Sequence, residues 1–270
     1  MRFDLIALDL DDTLIHSDLS ISDANREALR RAHKTGAKIV LSSGRNLTSM
    51  EKYARLLGLA GPDDYIVASN GAEIVATATG RVLAETRLDG RLCREIADCL
   101  GSRGFSWQIY ENGGIYYKGR NPYTEEDTRL TGMPNFPIED EEAAFARGQP
   151  KIVVPGEPGT LPALRDELLA EFEGRVEVLI SKPYFLEILP AGADKGAALA
   201  VLAERLGLEM EKALSMGDGM NDIGMLKAAG FSCAPANAVP SAKAAARWVS
   251  PLSNDEDFVA DALGRWMDLA

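Results

Sequence analysis

Histidine is nearly absent: only His16 and His33 occur in 270 residues. Neither has a serine or cysteine partner in a triad-like context, so histidine-driven nucleophilic catalysis is not expected. Cysteine is scarce and odd in number, with Cys93, Cys99 and Cys233 in no CxxC or metal-ligand spacing. These thiols read as small apolar fillers, and their scarcity fits a reducing, cytoplasmic setting. No apolar run approaches the length that crosses a bilayer. Arg2 leads directly into an acid-bearing strand, so no signal-peptide pattern is expected. Positive charge is also short: 29 Lys and Arg face 41 Asp and Glu, for a net charge of −12. That balance disfavours nucleic acid and anionic membrane as partners. It still permits a small anionic substrate, because a metal ion and a few local cations outweigh the global field. No GxxxxGK[ST] loop or dinucleotide fingerprint follows a strand, which argues against a nucleotide-driven kinase or a dehydrogenase.

What is present is 46% hydrophobic residues, enough for one large or two modest domains. The first segment alternates predicted strands at Phe3–Leu8, Ala37–Leu41 and Tyr65–Ala68 with helices at Ser22–Lys34 and Leu47–Leu57. Ser22 serves as an N-cap, and Gly36 and Gly58 as stops. This β-α-β order predicts a mostly parallel sheet with helices on both faces and ligands beyond the carboxyl ends of its strands. The middle changes character. A hairpin-like stretch, Ala72–Glu85, precedes a helix at about Arg91–Arg103. Paired strands follow at Ser106–Tyr110 and Ile115–Lys118, then a proline-punctuated irregular stretch over about 119–150. A strand at Lys151–Val154, a helix at Leu161–Phe172 and a hairpin of Val176–Ile180 with Tyr184–Leu189 complete the module. The parallel pattern then resumes with a helix at Lys195–Leu206, a strand at Ala213–Met216, a helix at Asp222–Ala229 and a strand at Phe231–Ala234. Helices at Ser241–Arg247 and Asp255–Trp266 close the chain. The expected fold class is α/β: a Rossmann-like parallel-sheet core from residues 1–83 and 187–270, with an α+β domain inserted over 84–186.

Four groups of chemistry-bearing residues fall at strand ends or helix starts. The run Leu5-Ile6-Ala7-Leu8-Asp9-Leu10-Asp11-Asp12-Thr13-Leu14 is an apolar strand ending in three carboxylates. Asp9 and Asp11 are two apart and share a side on a strand. A bound cation would relieve their repulsion, leaving one carboxylate to hold metal and attack and the other to trade a proton. Alone, the run reads equally well as a solvated acidic turn. Ser43-Gly44-Arg45 offers a hydroxyl and backbone amides at a strand-to-helix corner, which suits an anion; alone it is a capping serine. Lys195, followed by Gly196, puts a cation at a helix start against the local dipole, which a phosphate or the carboxylates of the first strand would justify; alone it is a solvated lysine. Gly217-Asp218-Gly219-Met220-Asn221-Asp222 packs two acids and an amide into a glycine-rich loop. Together these form a kit for phosphoryl transfer, rich in charge neutralisation and poor in covalent machinery, and magnesium suits its oxygen ligands.

In these motifs the chain resembles the haloacid dehalogenase-like hydrolases, specifically the Cof-type phosphatases with a large α+β cap after the third core strand. Asp9-Leu10-Asp11-Asp12-Thr13 matches the first family motif, Ser43-Gly44-Arg45 the second, Lys195-Gly196 the third, and Gly217-Asp218 through Asn221-Asp222 the fourth. Ser69-Asn70-Gly71-Ala72 and Leu186-Glu187-Ile188 also resemble this subgroup. The resemblance implies Asp9 as nucleophile forming an aspartyl-phosphate and Asp11 as general acid and base. It implies Mg2+ held by Asp9, the backbone carbonyl of Asp11, and Asp218. Ser43, Gly44, Lys195 and Asn221 would bind the phosphoryl group, with Asp222 orienting Lys195 or metal-bound water. Ser43 stands where threonine is frequent, Asp12 where glycine is frequent, and Phe258 where glycine is usual, the last expected to alter packing near the site entrance. The cap is expected to close over the core and set specificity, with Tyr116, Tyr117, Lys118, Arg120 and Tyr184 as candidates. The expected activity is Mg-dependent hydrolysis of small phosphorylated metabolites, sugar phosphates among them, by a monomer or weak homodimer. A phosphomutase of sugar phosphates and a weakly catalytic phospho-ligand binding module stand as alternatives.

Overall fold

Leu5-Ile6-Ala7-Leu8 forms β1 (Leu5–Leu8), and every one of its side chains is buried. An apolar run with no polar face suits a strand covered on both sides. The computed structural model describes residues 1–267. It divides into two compact units, one of Met1–Ala84 with the chain from Asp194 onward, the other of Glu85–Ala193.

After β1 come α1 (Asp23–Lys34), β2 (Lys38–Ser42), α2 (Leu47–Leu57), β3 (Asp64–Ala68), β4 (Glu73–Ala76) and β5 (Arg81–Glu85). Ser22 caps α1 by accepting from the Asn25 amide, and α2 ends at Gly58 in the left-handed conformation. The inserted unit then runs α3 (Gly90–Ser102), β6 (Trp107–Glu111), β7 (Gly114–Lys118), α4 (Pro122–Thr131), β8 (Asn135–Pro137), α5 (Glu141–Phe145), β9 (Ile152–Pro155), α6 (Leu161–Glu171), β10 (Val176–Lys182) and β11 (Phe185–Pro190). The first unit resumes with α7 (Lys195–Leu206), β12 (Ala213–Met216), α8 (Ile223–Ala228), β13 (Phe231–Ala234), α9 (Pro240–Ala245), β14 (Trp248–Val249) and α10 (Phe258–Trp266).

Among the described residues, the first unit holds an eight-stranded sheet in the order β14-β13-β12-β1-β2-β3-β4-β5. The pairs from β14 to β3 are parallel, and β4 is antiparallel to β3. Strand order reverses between β12 and β1, the crevice where open parallel sheets bind ligands. One face packs Ile6, Leu8, Ile39 and Leu41 with α1, α2 and α10, and the other packs Leu5, Ala7 and Val40 with α7. The second unit holds a six-stranded sheet, β10-β11-β9-β6-β7-β8. Its apolar core joins α3, α5 and α6 to one face through Trp107, Ile109, Ile152, Leu186 and Phe145. No helix among the described residues is long and apolar enough to cross a membrane.

Several expectations need correction. The boundary expected at 186/187 falls inside β11, which pairs along its length with β10 and β9, so residues 187–193 go with the second unit. The stretch expected to be irregular contains α4, β8 and α5. Pro122 opens α4 rather than breaking it, because the first helical position needs no amide hydrogen, and Asn121 with Thr124 makes a capping box ahead of it. The last helix starts at Phe258 rather than Asp255, since Asp257 is left-handed (φ 62°). Phe258 itself is fully buried in the core of the first unit, so its departure from glycine fills that core.

Ile6 at the centre of this sheet sets a test of the packing. Ile6→Ala should lower unfolding free energy by about 2–5 kcal/mol. Val82→Ala, at an edge position 45% exposed, should change it by about 0.5 kcal/mol or less. Urea midpoints of the two variants check this.

Candidate active site

Parity along β1 decides where Asp9 points. Leu5 and Ala7 face α7, so Asp9, the next odd position, falls on that side. Lys195, the first residue of α7, meets it there. The Lys195 ammonium lies 2.6 Å from Asp9 Oδ1 and 2.6 Å from Asp222 Oδ1. All three side chains are buried, and Lys195 is wholly so. Asp194 caps the same helix by accepting from the Gly196 and Ala197 amides at 2.8 and 2.9 Å. The start of α7 thus holds both charges that its dipole and its lysine require.

The second acidic group arrives through the sheet. Leu8 of β1 is in register with Met216 of β12, and the Asp9 amide donates to the Met216 carbonyl at 2.9 Å. The loop after β12 therefore lies beside Asp9. It is folded around Asp222, whose Oδ2 accepts from the Asp218 and Gly219 amides at 2.9 and 2.8 Å. Gly217 is required here: a Cβ would come within 2.5 Å of the Asp222 side chain. Thr13 donates to Asp218 Oδ1 at 2.8 Å and fixes that carboxylate.

Asp9, Asp218 and Asp222 each offer an oxygen within 4.8 Å of the others. Burial pushes the Asp9 carboxyl well above its ordinary range; Lys195 only partly offsets this, while Asp222, Asp218 and Asp11 add to it. Burial and Asp222 push Asp218 up to about 7. Burial would lower the Lys195 ammonium, but Asp222 and Asp9 outweigh it and hold the ammonium above its ordinary value. The cluster is short of positive charge in a poorly solvated place. Its donors are hard carboxylate oxygens, which fit Mg2+. Both oxygens of Asp222 are engaged within the protein, so Asp9 and Asp218 are the carboxylates that would hold the ion.

Asp11 does not join this cluster. The strand ends before it: Leu14 and Ile15 amides turn back to the Leu10 carbonyl, and Asp12 is left-handed (φ 58°). The shared side expected from two-residue spacing therefore does not extend to Asp11. Its carboxylate instead takes a two-bond fork from Arg45, Nε to Oδ2 at 2.8 Å and Nη2 to Oδ1 at 2.6 Å. Burial works against the Arg45 charge, but Asp11 outweighs it and raises the guanidinium. Arg45 also lies 5.2 Å from the Tyr53 ring centre. The left-handed turn explains the glycine common at position 12; aspartate tolerates that conformation.

Ser43 is buried at the end of β2, and its Oγ accepts from the Arg45 amide at 3.2 Å. It does not cap α2; Asn46 does, accepting from the Ser49 amide. Asn221 Nδ2 donates to Asn70 Oδ1 at 2.9 Å, and the Asn70 amide donates to the Ser43 carbonyl at 3.0 Å. The first unit thus gathers Asp9, Lys195, Asp218 and Asp222, with Ser43 and Asn221 linked through Asn70. Sequence reasoning quoted Arg45, Thr13 and Asn70 within motifs but gave none of them a role of its own. An excess of acids over cations was the available signal for Arg45.

The five candidates in the inserted unit make separate contacts within it. Tyr116 packs on Phe136 (5.5 Å between ring centres), while Tyr117 points to the opposite face of the sheet. Lys118 pairs with Glu141 at 2.6 Å, and Arg120 Nε donates to Glu125 at 2.7 Å. Tyr184 stacks on Tyr123 and reaches Glu126 at 3.4 Å. The buried polar residues of this unit lie elsewhere: Lys151 pairs with Glu187 at 3.1 Å, and Tyr110 donates to Asp127 at 2.6 Å.

A family model described as haloacid dehalogenase-like hydrolase matches residues 6–263. The chain is 30% identical over 265 residues to the 5-amino-6-(5-phospho-D-ribitylamino)uracil phosphatase YcsE of Bacillus subtilis, covering 97% of this chain and 95% of that protein. It is 26% identical over 263 residues to the HMP-PP phosphatase of Cronobacter sakazakii, covering 97% and 95%. The crystal structure of a haloacid dehalogenase-like hydrolase from Bacteroides thetaiotaomicron superposes with a TM-score of 0.91 at 33% identity, covering 98% of this chain and 100% of that one.

The electrostatics predict a pH dependence. Folded Asp218 binds its proton more tightly than an unfolded aspartate does. The stabilisation from that proton is therefore complete below about pH 4. It is lost as pH rises through about 7. Without divalent cation, melting temperature should fall across this window, and Asp218→Asn should flatten the fall. Added Mg2+ should raise the melting temperature of the native chain more at the alkaline end than at the acid end. Scanning calorimetry with and without Mg2+ reads both effects.

Proposed function

The chain belongs to the haloacid dehalogenase-like hydrolases and is an enzyme of their phosphatase class, and we propose that it hydrolyses small phosphorylated metabolites with Mg2+ through an aspartyl-phosphate on Asp9. The observation that carries this reading is the buried Asp9–Lys195–Asp222 chain of contacts with Asp218 beside it. Asp9 stands at the end of a fixed strand with one oxygen bound to Lys195, which orients the other toward an incoming group. Its attack on phosphorus forms the acyl phosphate as the bond to the leaving oxygen breaks, and Asp11 supplies the proton to that oxygen. Water then attacks the acyl phosphate, Asp11 takes its proton, and inorganic phosphate leaves. Ser43, Lys195, Asn221 and the Gly44 amide are the groups that bind the phosphoryl oxygens. Bound Mg2+ supplies the charge that lets a dianionic ester approach a carboxylate.

The relatives and the site both support this substrate class. The two curated relatives are named for small phosphorylated substrates. The net charge of −12 opposes large polyanions. We assign selection of the leaving group, sugar phosphates included, to the inserted unit. A cytoplasmic setting agrees with three buried, unpaired thiols.

Asp9→Asn should lower kcat about a thousandfold or more on any phosphate ester the native chain turns over, with the melting temperature preserved. A panel of sugar phosphates and phosphorylated heterocycles with Mg2+, read by phosphate release, checks this. Mass spectrometry of the quenched native enzyme should show phosphate on Asp9. Transfer to a second sugar hydroxyl, stimulated by a sugar bisphosphate, would instead mark a phosphomutase.

A further inference from the structure

Beyond β3 the backbone does something unusual. Ser69, Asn70 and Gly71 are consecutive and all left-handed, with φ of 51°, 54° and 103°. Two of the three carry side chains and are buried. A residue with a side chain is strained in that conformation, and such strain persists only where surrounding contacts fix it. The contacts are specific. The Ser69 amide donates to the Arg45 carbonyl at 2.9 Å, and the Asn70 amide to the Ser43 carbonyl at 3.0 Å. The Asn70 carboxamide lies flat against Gly44, where a Cβ would meet it at 3.0 Å. Its Oδ1 accepts from Asn221 Nδ2 at 2.9 Å.

From this geometry we infer that Asn70 is a positioning residue: its carboxamide braces the Ser43-Gly44-Arg45 loop and orients the Asn221 amide toward the phosphoryl group. The inference rests on the phosphatase reading above and deepens it. Asn70 does not touch the reacting atoms. It bridges two loops that the sheet brings from strands β2 and β12, and one carboxamide serves both. The left-handed backbone follows from that task. A carboxamide placed at this corner must leave the strand direction at once, and asparagine is the side-chain-bearing residue that tolerates the conformation best. The Asn221 amide spends one hydrogen on Asn70, which fixes its plane and leaves its second hydrogen aimed by that plane.

Asn70→Gly keeps the left-handed backbone and deletes only the carboxamide, so it separates positioning from folding. Four proteins form the test: native, Asn70→Gly, Asn221→Ala and the double variant, each assayed for kcat, KM and inorganic phosphate affinity. Asn70→Gly should lower kcat/KM about tenfold, the weight of one oriented hydrogen bond. Asn221→Ala should match it, and the double variant should be no worse than the poorer single. Phosphate affinity should show the same non-additive pattern. Asn70→Asp keeps the acceptor but adds negative charge, and should raise KM more than it lowers kcat. Losses that multiply in the double variant, or native kinetics in Asn70→Gly, would overturn the inference. If the native chain hydrolyses no ester, the phosphatase reading fails on that result, and the phosphate-affinity cycle alone decides the role of Asn70.

Discussion

One ammonium group buried between two carboxylates holds the site together. Lys195 has no contact with bulk solvent and sits at the positive end of a helix, two costs that each run against its charge. Asp9 and Asp222, both at 2.6 Å, are what make that placement tolerable. The same contacts tie α7 to the loops after β1 and β12. Removing any member strands a charge in a poorly solvated interior, a loss of about 3–5 kcal/mol for a buried pair. The balance is still incomplete: three acids surround one lysine. Under the proposed function a phosphate ester would add up to two more negative charges, and a divalent cation held by Asp9 and Asp218 would offset them. The raised Asp9 and Asp218 carboxyls express that shortage in the protein alone.

Residues more than 200 positions apart meet here because parallel strands all end on one side. β1 lies between β12 and β2, and β3 is next. The loops after these four strands carry Asp9, Asp218 with Asp222, Ser43 with Arg45, and Asn70. A residue pair one strand apart is within about 5 Å in the hydrogen-bonding direction, whatever its sequence separation. The inserted unit enters the chain after Ala84 and leaves before Asp194, outside the paired segments of β1, β2 and β12. It therefore interrupts the chain without interrupting the register that builds the site.

Which features were legible follows from this. Strand ends, the Ser22 cap and the Gly58 stop are local chemistry, and a sequence states local chemistry directly. Lys195 was legible as an anomaly, a cation where the helix dipole wants an anion. The Asp9 and Asp218 groups were legible as acids that end apolar strands. The side taken by Asp11 was misread because strand periodicity was carried three residues past Leu8, the last residue of β1, into a turn that holds a left-handed Asp12. The pairing of Arg45 with Asp11 was invisible because a guanidinium reaches across strands, from the loop after β2 to the loop after β1. Asn70 was visible only as part of a resemblance, since a left-handed asparagine and an ordinary loop asparagine are written the same way. The stretch around Pro122 was read as irregular because proline opens a helix as readily as it interrupts one, and the sequence alone does not say which.

Under the proposed reaction, the Arg45–Asp11 fork bears on both proton transfers. The guanidinium donates to both Asp11 oxygens, at 2.8 and 2.6 Å, and also lies 5.2 Å from the Tyr53 ring centre. A proton passed from Asp11 to a leaving oxygen, or taken from water, would have to sit on an oxygen that the fork now occupies. The proposed reaction would therefore need the fork to open at one of those oxygens while the ester is bound. That demand would be greatest for alkyl phosphates, whose leaving oxygen needs a proton, and least for leaving groups stable as anions.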